Sequence, residues 1–576
     1  MQAAKELQEW FAKHVTLDGK PYTLDRDQAA AVLDRHRNTL VTARAGSGKT
    51  RVIVAKTAYL VAVEQISLGE IAIFMFNRTA AAEVNERIAC VKVDGRTLPE
   101  ISGDLARNAN KSNDKGSSPQ TTIPRVASTF HKFALDVVRM TGLKPEIIDE
   151  STHDQLVRSE LKKSIIKTRQ KLSPADYGDI LKLTNSFITR AGQKFCGEEG
   201  IVRLGNEIEM YVARHSEDPT YHKALRIHQL AFMTYLGYLD QLRLPKIDFN
   251  LLMQKATEFL EAAASGQIFP EIRQKFRNLR YLMVDEYQDF SYLFYAIIRA
   301  LRMICCSAHL FAVGDDWQAI NRFAGSDVDY FLNFEKYFSE DYQNIPLLTN
   351  YRSDRSIVEN ANDYMLKEYC PEAERAIPFS RKNGKIHREK LTKVKFDRMD
   401  ILEDGLGDGR YQTILIDQIQ KAKKMADLGE NPTKTLLPAA RMLKKCATIV
   451  RRNRGKTIML LHRHNFTSTA GVDLTVFEHA LKHVLEKDAV LTLQDFAKRI
   501  RIMTMHKSKG LEADVVILLE LDQAQVLASH PFATMFEVFD DNLETEKADQ
   551  HRLIYVALTR AKHKLYMLTN DQTFLA

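Results

Sequence analysis

Leu40-Val41-Thr42-Ala43-Arg44-Ala45-Gly46-Ser47-Gly48-Lys49-Thr50 runs from a short apolar segment into a small, glycine-rich turn that closes on a lysine and a hydroxyl residue. Small residues let backbone N–H groups approach phosphate oxygens, and a helix starting at the lysine adds the partial positive charge of its N-terminus. In such a loop Lys49 reaches the β- and γ-phosphates and Thr50 binds Mg²⁺. The strict pattern has Gly where Ala43 stands, so a plain strand-to-helix turn is the competing reading of this stretch alone. A second stretch weighs against that alternative. Tyr281-Leu282-Met283-Val284 reads as a buried strand ending in Asp285-Glu286-Tyr287-Gln288-Asp289. Two adjacent carboxylates at the end of a buried strand are costly unless a metal ion or hydrogen bonds compensate them. Asp285 suits a Mg²⁺ ligand and Glu286 a group that polarises an attacking water. Together the two stretches define a nucleoside triphosphatase.

The 576 residues suffice for several domains with cores of their own. With 45% hydrophobic and 27% charged residues the composition is that of an ordinary globular chain, which argues against disorder. A net charge of +8 from 82 basic and 74 acidic residues is compatible with a polyanion-binding groove but does not by itself indicate one. Cys90, Cys196, Cys305, Cys306, Cys370 and Cys446 form no CxxC pair and no metal-ligand spacing with histidine. Reduced thiols in a cytosolic compartment are therefore expected, without zinc or an iron–sulfur cluster. Residues 1–15 lack a continuous apolar core of signal-peptide length, and no apolar run approaches a membrane span.

Apolar strand candidates at 39–42, 71–76, 282–284 and 310–313 alternate with helical stretches, the rhythm of a parallel sheet wrapped by helices. Residues 134–244 carry few strand signals and read as a helical insertion. A second α/β unit follows, with strand signals at 457–461, 502–504, 515–519 and 564–568. The polar interval 102–122 reads as an exposed loop, and 399–446 as charged and helical.

Further motifs follow in order. Gln28 lies upstream of the phosphate loop, then come Ala80-Ala81-Ala82-Glu83, Ser128-Thr129-Phe130-His131 and Ile247-Asp248-Phe249. After Asp285-Glu286 come Val313-Gly314-Asp315-Asp316-Trp317-Gln318, Asn350-Tyr351-Arg352-Ser353, Thr504-Met505-His506-Lys507-Ser508-Lys509-Gly510-Leu511-Glu512, and Tyr555-Val556-Ala557-Leu558-Thr559-Arg560. This series, spanning almost the whole chain, resembles the UvrD/Rep-type superfamily 1 DNA helicases, in wording nearest the bacterial helicase IV-like members.

The resemblance implies an α/β protein of two RecA-like P-loop domains that close on ATP. The first occupies 1–135 and 246–345 around a helical insertion at 136–245, and the second 346–576, with a reduced or absent insertion. It implies that Gln28 reads adenine, that Ala45, Gly46, Ser47, Gly48, Lys49, Thr50 and Arg51 cradle the phosphates, and that Tyr351 stacks on adenine. Glu512 falls to the ribose, Gly510 to the ATP site, Gln318 to the γ-phosphate and attacking water, and Arg352 and Arg560 to the γ-phosphate from the second domain. Such an arginine contributes about 10³ to 10⁵ in rate. Phe76 and Phe323 occupy positions where relatives stack aromatics on single-stranded bases, each also readable as a core aromatic. His131, His506 and Lys507 fall in motifs that touch DNA phosphates or sugars, or are structural residues, and Arg78, Asn321 and Thr504 are further DNA-binding candidates of the resemblance.

The chain departs from the pattern in having Asn321 where relatives carry an aromatic, and in lacking a Lys near Thr79. Residues 462–501 alone fill the interval where larger relatives insert a helical domain, so translocation is the stronger expectation than processive unwinding. No room for a fused nuclease is apparent after Ala561, so cleavage would need a partner protein. The implied activity is 3′-to-5′ movement on single-stranded DNA or at single-strand/duplex junctions, driven by Mg²⁺ and ATP, in the bacterial cytosol or nucleoid. The competing class is a DNA-stimulated ATPase subunit that gates a partner nuclease or polymerase. No membrane partner is expected.

Overall fold

The computed structural model describes residues 2–110, 126–170, 173–218, 221–266, 268–390, 433–464, 474–487, 492–521 and 533–569. Two compact units emerge, one of residues 1–348 with 530–545, the other of 349–529 with 546–576.

The first unit is built on six strands: β1 (Asn38–Ala43), β2 (Ile71–Met75), β3 (Ala127–Thr129), β4 (Tyr281–Val284), β5 (His309–Gly314) and β6 (Tyr342–Leu347). They are all parallel, in the order β6-β1-β5-β4-β2-β3, with Val41 opposite Val313 and Val284 opposite both Ala312 and Phe74. The near-continuous apolar runs of β2, β4 and β5, inside the sheet, are what parallel strands covered on both faces require. Period-two alternation divides each strand between two cores. Met283, Phe311 and Val313 face one core with Ile53 and Val54 of helix Lys49–Ala62, whereas Leu282, Val284, Leu310 and Ala312 face the other. In that second core Phe130 is stacked between Phe74 and Phe294, at ring separations of 4.5 and 4.2 Å.

Strand order positions the functional loops. All strands run the same way, so the loops leaving β1, β5 and β4 lie side by side at the carboxyl edge, and those leaving β2 and β3 are adjacent farther along. The phosphate loop, the Asp315–Gln318 segment and the Asp285–Glu286 pair are thereby neighbours.

The helices Glu150–Thr168, Pro174–Lys194, Gly197–His215 and His222–Gln241 pack around Leu161, Phe187, Leu204 and Tyr235. Met535, Phe536, Val538 and Phe539 pack into this same core. Asp541 pairs with Arg190, and the His228 imidazole contacts the Met535 carbonyl at 2.6 Å. Residues 530–545 thus group with the first unit, where the sequence division carries them within 346–576. Four apolar side chains find no comparable burial on a short turn of their own, which accounts for the difference.

The polar interval requires correction. Residues 102–110 continue the helix Leu98–Asn110 rather than forming a loop. Leu98 is buried, Ile101 packs against the core, and the Ser102 hydroxyl accepts the Leu68 N–H at 2.8 Å, so the apolar stripe outweighs the asparagines that follow. Residues 111–122 lie outside the described residues, as does 399–432 of the charged stretch, while Thr433–Arg452 is helical.

The second unit carries β7 (Lys385–Lys390), β8 (Ile458–His462), β9 (Ile500–Thr504), β10 (Ala513–Leu518) and β11 (Ala561–Thr569). These are parallel in the order β7-β11-β10-β8-β9, with the helix Leu543–Leu558 leading into β11.

Candidate nucleotide and nucleic-acid sites

Gly46 and Gly48 adopt left-handed φ angles of 74° and 86°, which bend the phosphate loop away from β1 and into the helix Lys49–Ala62. A side chain at Gly48 would place its Cβ 3.0 Å from Gln28 Nε2. No side chain caps this helix, so its first N–H groups are left for an anion. Ser47 Oγ is buried and has no hydrogen-bond partner among the described residues. Ala45 is buried beneath the loop. Gln28 donates to the Ser47 carbonyl at 2.9 Å while its Oε1 accepts the Asp25 N–H at 3.2 Å, so one side chain joins a helix cap to the phosphate loop. Arg51 stacks on Tyr22 and donates to the Thr23 carbonyl at 2.6 Å, which places it on the loop's flank.

At the end of β4, Asp285 is buried and its Oδ2 accepts the Thr50 hydroxyl at 3.4 Å. Burial, and then the neighbouring Glu286 charge, raise the Asp285 carboxyl above the usual carboxylate range against the pull of Lys49. Glu286 has a left-handed φ of 49°, and its carboxylate lies 3.7 Å from Lys49 Nζ. Gln288, fully buried, donates from Nε2 to Glu286 at 2.6 Å and accepts the Asp315 N–H on Oε1 at 2.9 Å. Gln318 donates to Asp315 Oδ2 at 2.6 Å. An all-oxygen pair beside a lysine and an uncapped helix start is the donor chemistry of a hard divalent cation bridged to phosphates. Two acids crowded in a buried corner fit a cation better than they fit each other.

The loops leaving β2 and β3, and the segment that follows Gln318 after β5, carry the remaining candidates of this unit. Phe76 is 40% exposed and Phe323 53% exposed, which excludes the core-aromatic alternative for both. Arg78 is exposed at the start of helix Arg78–Cys90, whose first turn is capped by Asn77. Arg78, Ser128, His131 and Phe249 line a groove of about 930 Å³. Burial, and then the Arg78 charge, lower the His131 pKa, which favours the uncharged ring. Phe249 meets it edge-on at 4.8 Å. Asn321 opens the turn Arg322–Ala324 that presents Phe323.

In the second unit, Arg352, Glu512 and Arg560 gather at the amino ends of β10 and β11. Arg352 Nε donates to Glu512 at 2.8 Å, and Lys562 also pairs with that carboxylate. Arg560 is 1% exposed and donates to the carbonyls of Val556 and Leu511 at 2.7 and 3.2 Å. Tyr351 is exposed and packs on Phe379 at 4.8 Å between rings. Gly510 takes a φ of 81° with open space around it. Thr504, His506 and Lys507 cluster at the opposite, carboxyl end of β9. Thr504 is buried, Lys507 is exposed, and burial together with Arg463 and His464 pushes the His506 pKa down to about 4.

Two contributors escaped the sequence reading. Gln288 stands two residues beyond Glu286, but a polar residue in a strand-end turn gives no sign of pointing inward. Phe249 belongs to a recognised motif, yet its exposure beside His131 is visible only in three dimensions. Among the described residues no group of three His, Cys, Asp or Glu side chains could hold a metal ion, and no helix is long and apolar enough to cross a membrane.

Comparison with known proteins agrees with this geometry. The UvrD/REP helicase N-terminal domain matches residues 24–339 and the UvrD-like helicase C-terminal domain matches 415–572. DNA helicase IV of Escherichia coli is 26% identical over 577 residues, covering 95% of this chain and 68% of that protein. The ATP-dependent DNA helicase PcrA of Staphylococcus aureus is 26% identical over 406 residues, covering 68% of this chain and 47% of that protein. With its phosphate loop, its paired carboxylates and both halves of the motif series matched, the chain belongs to the UvrD/REP helicase family and with it to the class of DNA helicase ATPases.

Proposed function

We propose that the protein is an ATP-driven translocase that moves 3′-to-5′ on single-stranded DNA, separating duplex or displacing bound proteins in repair, recombination or defence in the bacterial cytosol or nucleoid. The observation that carries the reading is the convergence of Lys49, Thr50, Asp285 and Glu286 at the carboxyl edge of one parallel sheet, beside the loop that holds Gln318. Thr50 and Asp285 hold Mg²⁺ in this proposal, and the cation supplies Lewis-acid stabilisation of phosphate charge. Lys49 and the backbone of Ala45 to Ser47 bind the triphosphate. Glu286 orients and deprotonates the attacking water, and Gln318 reads the γ-phosphate. Gln28, Arg51, Tyr351, Gly510 and Glu512 are assigned to the nucleotide's base, sugar and loop surroundings. Arg352 and Arg560 are assigned to the charge of the transferring phosphoryl group.

Phe76 and Phe323 serve as exposed stacking platforms, a contact contributing about 1 to 3 kcal/mol per base. Arg78, His131, Thr504, His506 and Lys507 are assigned to the DNA, and Asn321 to the position where relatives carry an aromatic. Relatives named DNA helicase IV and ATP-dependent DNA helicase PcrA support a DNA substrate. Duplexes with a 3′ or a 5′ single-stranded tail test the polarity. Unwinding of the 3′-tailed substrate alone is expected, and preference for the 5′ tail would overturn the assigned direction. An ATPase stimulated by DNA that unwinds neither substrate would instead indicate a subunit gating a partner nuclease or polymerase, the reading favoured by the short interval 462–501.

A further inference from the structure

Arg44 opens the phosphate loop where the chain leaves β1, and its side chain does not turn to solvent. Its N–H donates to the Leu347 carbonyl at 3.0 Å and its own carbonyl accepts the Ser47 N–H at 3.1 Å, so the backbone is part of the loop's frame. The guanidinium is 4% exposed. Nη1 lies 3.1 Å from Asp315 Oδ1 and 2.6 Å from Asp316 Oδ1, and Cζ stands 4.0 Å above the fully buried Trp317 ring. A single phosphate-loop side chain thus grips three consecutive residues at the end of β5. The next residue is Gln318, whose Nε2 donates to the other oxygen of the Asp315 carboxylate at 2.6 Å. Asp315 is therefore shared, with one oxygen towards the phosphate loop and the other towards Gln318.

Sharing has a physical consequence. Arg44 draws part of the Asp315 charge, and what remains determines how firmly the Gln318 amide is held. Without the arginine, Gln318 becomes the principal side-chain partner of a buried carboxylate and is withheld from any other acceptor. A lysine in its place keeps a charge but loses the planar guanidinium that stacks on Trp317 while holding Nη1 between Asp315 and Asp316.

We propose that Arg44 is a positioning residue that sets the reach of Gln318 through Asp315, so that movement of the phosphate loop around a nucleoside triphosphate is transmitted to the Gln318 amide. The inference rests on the assignment of Gln318 to the γ-phosphate made above.

The test uses the full chain with saturating single-stranded DNA. Arg44→Ala is expected to lower kcat about tenfold or more while KM for ATP stays within roughly threefold, because binding groups remain while orientation is lost. Arg44→Lys is expected to lose kcat severalfold, and decides the matter if the alanine variant does not fold. Trp10 and Trp317 are the protein's two tryptophans, so Trp10→Phe leaves Trp317 as the sole emitter. Adding a non-hydrolysable ATP analogue with Mg²⁺ is expected to shift its emission, and Arg44→Lys in that background is expected to abolish the shift at saturating analogue. Normal kcat in both Arg44 variants, an emission unmoved by nucleotide, or a shift that persists in Arg44→Lys would each overturn the proposal. Gln318→Ala separates the two layers. Normal turnover in Gln318→Ala removes the underlying assignment, whereas impaired turnover there with intact Arg44 variants removes this inference alone.

Discussion

Replacing Gln288 tests how Glu286, the proposed catalytic carboxylate, is held. Its side chain joins two elements, donating to Glu286 at 2.6 Å and accepting the N–H of the fully buried Asp315 at 2.9 Å. Gln288→Ala strands that N–H, a loss of about 1 to 3 kcal/mol, and removes a hydrogen bond to a charged group that contributes about 1.5 to 3 kcal/mol. The two losses share one side chain and are not fully additive, so a total of about 3 kcal/mol is expected for the first unit. In thermal unfolding of a unit this large this corresponds to a fall in midpoint of roughly 4 °C. Gln288→Glu separates stability from chemistry. It keeps an acceptor for Asp315 but turns a carboxylate towards Glu286, so Glu286 moves away or shares a proton. Steady-state ATP hydrolysis is expected to show kcat reduced about a hundredfold with KM little changed, since the role proposed for Glu286 is on the attacking water rather than on bound nucleotide. A Gln288→Glu protein with ordinary kcat, or a Gln288→Ala protein as heat-stable as the parent, would refute the assignment of Gln288 as the brace of Glu286.

Other outcomes follow from the same geometry. Gly48→Ala combines a left-handed φ of 86° with a Cβ 3.0 Å from Gln28 Nε2, so KM for ATP should rise about tenfold or more from a strain of about 1 to 2 kcal/mol plus the displaced glutamine. For DNA binding, Lys507→Ala should reduce the slope of log affinity against log salt by about 0.7, the value for one phosphate of a single strand. His506→Ala should leave that slope unchanged, because a ring with pKa near 4 is neutral at pH 7 and releases no counterion. Equal slopes for the two variants would contradict the charge states. His228, buried in the insertion core, has its pKa pushed from 6.5 down to about 4 by burial. The folded form therefore binds fewer protons than the unfolded form between those values, and stability should fall by about 3 kcal/mol as pH drops through that window. Denaturant titrations at pH 7 and pH 4 measure it, and a His228→Gln protein should lose this part of the pH dependence.

What could be read from the sequence was local. The apolar runs at β1, β4 and β5 and the glycines and carboxylates that end them are contiguous in the chain, so strand, turn and chemistry share one short window. Lys49 and Asp285 carry their chemistry in their own windows, whereas Gln318 was placed only through the family resemblance; the strand order that makes their loops neighbours is a property of the folded sheet. Long-range partners were not legible. Arg44 precedes Asp315 by most of the first unit, and neither residue type announces a buried ion pair. The helix through residues 102–110 was obscured because asparagine and serine favour loops, while Ser102 satisfies the Leu68 N–H from within the helix. The docking of Met535, Phe536, Val538 and Phe539 into the insertion was hidden too, since four apolar residues in a short run do not say which core they join.

The most direct measurement is steady-state ATP hydrolysis by the purified protein alone, then with single-stranded DNA, duplex DNA or RNA, in parallel with Glu286→Gln. Strong stimulation by single-stranded DNA that disappears in Glu286→Gln, with nucleotide binding retained, is the result expected of a DNA-driven motor whose water is activated by Glu286. A rate indifferent to all three nucleic acids, or ordinary turnover in Glu286→Gln, would contradict the account.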